Sequence, residues 1–423
     1  MVLAPTLTLS AGSGAAIARP TFSRDFAGEK TLNNGTGPSI TFTRASDATF
    51  FDASGVLQTA AANVPRFDHD PATGASRGLL IEESRQNLLQ RSEEFDNAYW
   101  TKANATVTAN AVTAPDGTTT ADAVFETAAS GFHAIQRGSA IPSTAIYTAS
   151  FFVKANGRTQ FALQIGIIYA EFNLSTETAA VIGGGASDAA SILALPNGWY
   201  KCTFTRSATA DETVFMVFNN GSVYDYTGNA ALGFYIWGAQ LEAGAFPTSY
   251  IPTTTAAATR AADSAVVTPI SSFYNQAEGT LFAEANSRSL TLQPDVSRVF
   301  ASLNSGDFNN QINIQQRTSG DPDTVEFAPY IFPSGGPASM AGGGSLLTTT
   351  QRVAGAYKSN DFAASFNGGS AVTESSGSVP SGITHLHIGL RPDAGTGALS
   401  GHIRRIAYFP KRLSNALLQQ LTT

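Results

Sequence analysis

The chain has 423 residues, 43% of them hydrophobic and only 13% charged, with a net charge of -7. At roughly 100–200 residues per domain, this length suggests two to four domains with packed cores. So little charge disfavours a helical protein, whose exposed faces are ordinarily built from Glu, Lys and Arg, and the acidic balance excludes a phosphate-neutralising nucleic-acid surface or a patch for anionic membranes.

Met1 to Ala16 lacks a positive start and is interrupted by Pro5, so it does not read as a secretory leader. No run approaches the roughly 18 apolar residues of a membrane span. Residues 1–92 read as irregular and strand-rich, a region that does not obviously fold alone and could be completed by neighbouring subunits. Ser39 to Thr43 alternates like a strand, Asp52-Ala53-Ser54-Gly55 and Asp70-Pro71-Ala72-Thr73-Gly74 are turns, and Gly78 to Ile81 is a further short strand.

Residues 93–262 carry short strands at turn-punctuated intervals, as an all-β sandwich should. They are Tyr147 to Lys154, the apolar run Phe161 to Phe172, Trp199 to Thr205, Val214 to Phe218 and Leu232 to Leu241. Thr253 to Asp263 reads as a linker. Residues 263–423 repeat the style, with strands at Leu281 to Ala285, Ile312 to Gln315, Ala354 to Tyr357, Ala363 to Phe366, His385 to Ile388 and His402 to Phe409. Only the end reads as helical: Leu413, Leu417, Leu418 and Leu421 share one face and Ser414 caps the start.

Cys202 is the only cysteine. It excludes an intrachain disulfide and a cysteine-based zinc site. Alternation places Tyr200, Cys202 and Phe204 on one strand face, which reads as a buried, inert thiol.

Several ordered blocks carry a family likeness. Phe42-Thr43-Arg44-Ala45-Ser46, Phe51 to Leu57, Pro65-Arg66-Phe67-Asp68, Gly78 to Glu83 and Asn87 to Lys102 resemble a module of tailed-phage and prophage fibre or spike proteins. Trp237 to Gly244 with Thr248 to Thr253 is similar to the end of the jelly roll in those proteins. Asn360 to Gly368 and Tyr408 to Ser414 look like parts of a concanavalin A-like, laminin-G-type sandwich.

The resemblance implies an all-β chain in three parts. Residues 1–92 would anchor it to other virion proteins, 93–262 would form a carbohydrate-binding-module-like jelly roll, and 263–423 a second sandwich. It further implies a tail fibre or capsid head spike, exposed on a particle assembled in the bacterial cytoplasm. Such a protein adheres to host surface polysaccharide as a homo-oligomer, with a trimer favoured and a pentamer suited to a capsid vertex. Neither nucleic acid nor membrane is an expected partner, and no cofactor is expected. Related carbohydrate-binding modules hold a structural calcium with paired acids on the last strand, whereas Phe234 to Gln240 has none before Glu242.

Sugar binding needs flat aromatic faces together with amides, carboxylates or Arg for the hydroxyls. Three places supply them. Tyr224 and Tyr226 flank Asp225 and would share one side of an extended segment. Trp199 and Tyr200 open a strand after the Asn197-Gly198 turn. Gln311, Asn313, Gln315 and Arg317 share one strand face. Each also has a plain structural reading, as loop packing, a core cap and a solvated strand face respectively.

Other apparent motifs resolve more simply. Asp68-His69-Asp70 alternates its side chains, so one ion would not collect all three. His385 and His387 share a face without a third ligand beside them. Gly74-Ala75-Ser76-Arg77-Gly78 matches a hydrolase pattern but precedes a strand rather than a helix. The strand around Glu284 carries a single acid, where sandwich glucanases place a pair on alternating positions of one strand. No catalytic residue is therefore assigned. A polysaccharide depolymerase and a purely structural decoration protein are the competing readings.

Overall fold

The computed structural model describes residues 19–186, 188–287, 297–317, 324–331, 339–342, 349–392 and 398–423. Nearly all regular structure in them is antiparallel sheet, arranged as two sandwiches.

The central sandwich stacks two six-stranded sheets. One runs in the order Ala189–Ala194, Trp199–Ala208, Ala145–Asn156, Gly233–Ala243, Ala121–Glu126 and Ala105–Val112. The other runs Thr178–Ile182, Ile168–Asn173, Gln160–Ile165, Val214–Phe218, Ala134–Arg137 and Thr101–Ala103. Alternation supplies the core: Phe151 and Val153 from one sheet meet Phe161, Leu163 and Phe172 from the other. The apolar run Phe161 to Phe172 is a hairpin of two strands, turning at Gly166 and Ile167. Cys202 and Phe204 point into this core as their alternation requires, and burial drives the thiol well above its ordinary range.

The C-terminal sandwich packs an eight-stranded sheet on a seven-stranded one. Its shared core includes Leu281, Phe300, Ile312, Ile314, Phe327, Tyr357 and Ile403. The helix Asn415–Thr422 covers the outer face of the larger sheet, placing Leu418 and Leu421 on Phe282 and Phe409. Ser414 caps it by accepting from the Leu417 amide.

The first 92 residues do not stand apart. Phe22–Asp25 and Ser76–Ile81 both pair with Gly401–Phe409, and Phe67–His69 extends the same sheet. Thr41–Thr43 forms one edge of the seven-stranded sheet. The C-terminal sandwich is thus completed by this chain's own N-terminal strands. Thr253 to Asp263 is equally not a free linker. Ala258–Arg260 pairs with Arg85–Asn87, and Arg260 and Asp263 are buried in ion pairs with Glu82, Arg44 and Arg66.

Candidate functional site

The outer face of the second six-stranded sheet gathers aromatic, amide and carboxylate groups. Strand Gln160–Ile165 buries Phe161, Leu163 and Ile165, which turns Gln164 outward. Strand Ile168–Asn173 buries Ala170 and Phe172, which turns Tyr169 and Glu171 outward. Register places Gln164 beside Tyr169, and Tyr169 beside the exposed Ile182.

A loop brings Tyr224 onto this face. Its ring stacks on Tyr169 with centroids 4.5 Å apart and planes 19° apart. Its hydroxyl donates to Glu171 Oε1 at 2.6 Å. Asn219 Nδ2 and Ser222 Oγ donate to the same carboxylate, each at 3.1 Å. Burial, and then the bond to Glu171, push the Tyr224 hydroxyl far above the ordinary tyrosine range, so it remains a donor. Beneath the ring pair lie Ala134, Ala162 and Val217, small enough to let Tyr224 and Phe132 settle on the sheet. Gln164 donates to the Gly166 carbonyl, while its Oε1 has no hydrogen-bond partner. The result is an amphipathic surface of two half-buried rings and a positioned carboxylate, with the Gln164 amide buried at its edge.

The other expected residues fall elsewhere. Tyr226 does not share a side with Tyr224. Its hydroxyl donates to Glu126 at 2.5 Å, its ring stacks on His133, and Arg158 closes the group by binding Glu126. The paired ribbon begins only at Asp225, so alternation does not carry back to Tyr224. Asp225 itself is exposed. Trp199 is no platform: it is 2% exposed, packs in a cluster with Leu57, Phe152, Trp237 and Tyr250, and donates to the Thr113 carbonyl. Tyr200 is half-buried, with its hydroxyl 3.3 Å from Glu177.

The amide row is on one face, opposite Ile312 and Ile314, but it is not solvated. Gln311, Asn313 and Gln315 are only 4–5% exposed. Asn313 donates to Gln311, Gln315 donates to Glu326, and Gln311 donates to the Phe308 carbonyl. The amide donors are spent within the protein, Asn313 Oδ1 is buried without a partner, and Arg317 alone of the four is exposed. Beside Gln311, however, Tyr330 and Phe308 stand 41% and 39% exposed, a second aromatic edge.

Asp70 starts its turn by accepting from Ala72 and Thr73, and Asp68 turns away to His402 at 2.8 Å. His385 and His387 do share a face, with rings 5.7 Å apart. Ser76 opens a strand, not a helix. Glu242 is engaged internally by Gln240 and Thr248. Among the described residues no group of three or more His, Cys, Asp or Glu is placed to hold a metal.

Sequence reasoning missed Tyr169, Glu171 and Gln164. The signal lay inside the run Phe161 to Phe172, whose period-two alternation turns these three outward once it is divided at Gly166.

No protein-family model and no curated protein matches the chain. Among solved structures it is similar to Trypanosoma rangeli sialidase, alone and with the inhibitor DANA. Identity is 10% in both cases, with TM-scores of 0.28 and 0.29. The match spans 71% of this chain and 60% of the sialidase. A TM-score that low assigns neither fold nor activity.

Proposed function

We propose that this chain is an adhesive fibre or spike subunit, displayed on a phage-like particle, that binds a host surface polysaccharide without cleaving it. The observation that supports it is the Tyr169–Tyr224 stack fixed to Glu171 on the outer face of the sheet. Ring faces suit the C–H surface of a sugar, and the carboxylate suits its hydroxyls. The exposed Tyr330 and Phe308 give the other sandwich a comparable aromatic edge. Weak sites repeated along one chain, and again across copies of it, would add by effective concentration.

The test is adsorption of the full chain to host cells before and after their surface polysaccharide is stripped. Adsorption that disappears with the polysaccharide is expected. Equal adsorption to both, or adsorption to neither, contradicts the reading.

A further inference from the structure

A charged surface lies on the outer face of the eight-stranded sheet. Four residues cross its strands in register: Asp25 beside Arg405, Arg405 beside Glu284, and Glu284 beside Arg352. Opposite charges facing each other across strands are mutually favourable. This row alternates and is balanced by itself.

Arg404 breaks the balance. Regular alternation would bury it, because its neighbour Arg405 faces out. Instead the register slips at Glu284 and Ala285, which pair with Arg405 and Ile403 and leave Arg404 as an extra residue. Ile403 and Ile406 both enter the core, so the bulge turns Arg404 and Arg405 to the same outer side. A bulge sacrifices ladder pairing and re-aims a side chain. Here it delivers a third guanidinium to one carboxylate. Arg405 Nε lies 2.5 Å from Glu284, Arg404 Nε 3.3 Å and Arg352 Nε 3.6 Å.

The three arginines, Asp25 and Glu284 line an open hollow of about 350 Å³. The arginine side chains remain 33–39% exposed, so a ligand can reach them. Asp25 and Glu284 carry two negative charges against the three guanidinium groups, so the hollow keeps one net positive charge. Arg404 Nη1 donates to the Ser76 carbonyl and Arg405 gives Glu284 only its Nε. Arg404 Nη2 and both Arg405 Nη atoms have no hydrogen-bond partner among the described residues. Guanidinium forks of this kind match the planar spacing of oxyanions. Arg352 Nη1 also donates to the Thr423 carbonyl at the end of the helix and Arg405 lies over the Phe282 ring, so structural contacts hold the guanidinium groups in place while leaving part of each open to the hollow.

We infer that this hollow binds a compact oxyanion, a carboxylate or phosphate ester, carried by the target polysaccharide, with Arg404 as the group that makes it an anion site. The inference rests on the adhesion reading and adds that the polysaccharide is acidic.

The test is equilibrium binding of the full chain, as wild type and as Arg404→Gln, to three probes of matched length. These are a uronate oligosaccharide, a phosphodiester-linked oligosaccharide and a neutral one. At least one acidic probe is expected to bind tenfold or more tightly than the neutral probe, and Arg404→Gln is expected to erase that advantage. Whichever acidic probe responds identifies the oxyanion. Arg352→Gln should weaken the same probe, and the thermal midpoint of each variant checks folding. An acidic probe held equally by wild type and Arg404→Gln, or no preference for acid in the wild type, overturns the inference. Adhesion itself fails differently, by loss of adsorption to intact host cells.

Discussion

Arg66 Nη2 and Asp263 Oδ2 meet at 2.6 Å across 197 residues of chain, and neither side chain is exposed. Around them Arg44 binds the other Asp263 oxygen, while Arg66 and Arg260 share Glu82. Ser249 donates both its amide and its hydroxyl to Glu82. Three cations face two anions, and carbonyls of Thr49, Ala60, Ala61, Val64 and Glu83 accept further guanidinium protons, while Arg66 Nε and Arg260 Nε are buried without a hydrogen-bond partner. The network joins the N-terminal strands, the end of the central sandwich and the start of the C-terminal one.

Removing one partner of a buried ion pair leaves the other uncompensated, at a cost of about 3–5 kcal/mol. Asp263→Asn removes the carboxylate shared by Arg44 and Arg66, leaving Arg66 with Glu82 alone. Equilibrium denaturant unfolding is expected to show a loss of that size. A change under about 1 kcal/mol, the range of a surface pair, would contradict the assignment.

The pairing of N-terminal strands with Gly401–Phe409 has a consequence for truncation. A fragment of residues 93–423 lacks Phe22–Asp25, Phe67–His69 and Ser76–Ile81, together with Arg44, Arg66 and Glu82. It exposes a sheet edge and uncovers the part of the shared core that Phe22, Leu79 and Ile81 fill. Gel filtration is expected to show aggregation or an expanded chain. A compact monodisperse fragment with the full-length melting profile would refute the shared sandwich.

Trp199 and Tyr224 should separate stability from binding. Replacing a buried Trp by Ala costs roughly 3–5 kcal/mol. Trp199→Ala is therefore expected to lower the unfolding midpoint strongly. Tyr224→Ala should weaken glycan retention about tenfold, the scale of about 1.4 kcal/mol, and Tyr224→Phe should show how much of that comes from the Glu171 bond. Unchanged retention in Tyr224→Ala would remove the Tyr169–Tyr224 face as a binding surface.

His387 introduces a pH dependence. Burial, and then the neighbouring His385, lower its pKa to about 4, while Asn304 Nδ2 lies 2.8 Å from its Nδ1. An unfolded histidine titrates near about 6.5. As pH falls from that value toward 4, the unfolded state takes up the proton first. Stability from this group is complete above about 6.5 and is lost as pH drops through the window. The difference in thermal midpoint between wild type and His387→Gln should change between those two pH values. A constant difference would show that His387 titrates normally.

Local pattern made the strands and their buried faces legible. Leu79 with Ile81, Ile312 with Ile314 and Cys202 with Phe204 all point where alternation sends them. The terminal helix was legible from leucine spacing and Ser414. Strand partnership was not, because Ser23 meets Ala407 through long-range closure that no local period encodes. The same limit hid the site: Tyr224 was visible, but its stacking partner Tyr169 and its acceptor Glu171 arrive from another hairpin. Arg404 was hidden for a different reason, since a one-residue slip in register reverses the side that alternation assigns. Arg44, Arg66 and Glu82, which local pattern left without a role, build the buried junction.

The most direct measurement is a pull-down of the full chain with purified host polysaccharide, read for retained protein and for released oligosaccharide. Retention without release is expected, weakened by Tyr224→Ala. Absence of retention, or oligosaccharides appearing in the supernatant, would contradict non-covalent adhesion.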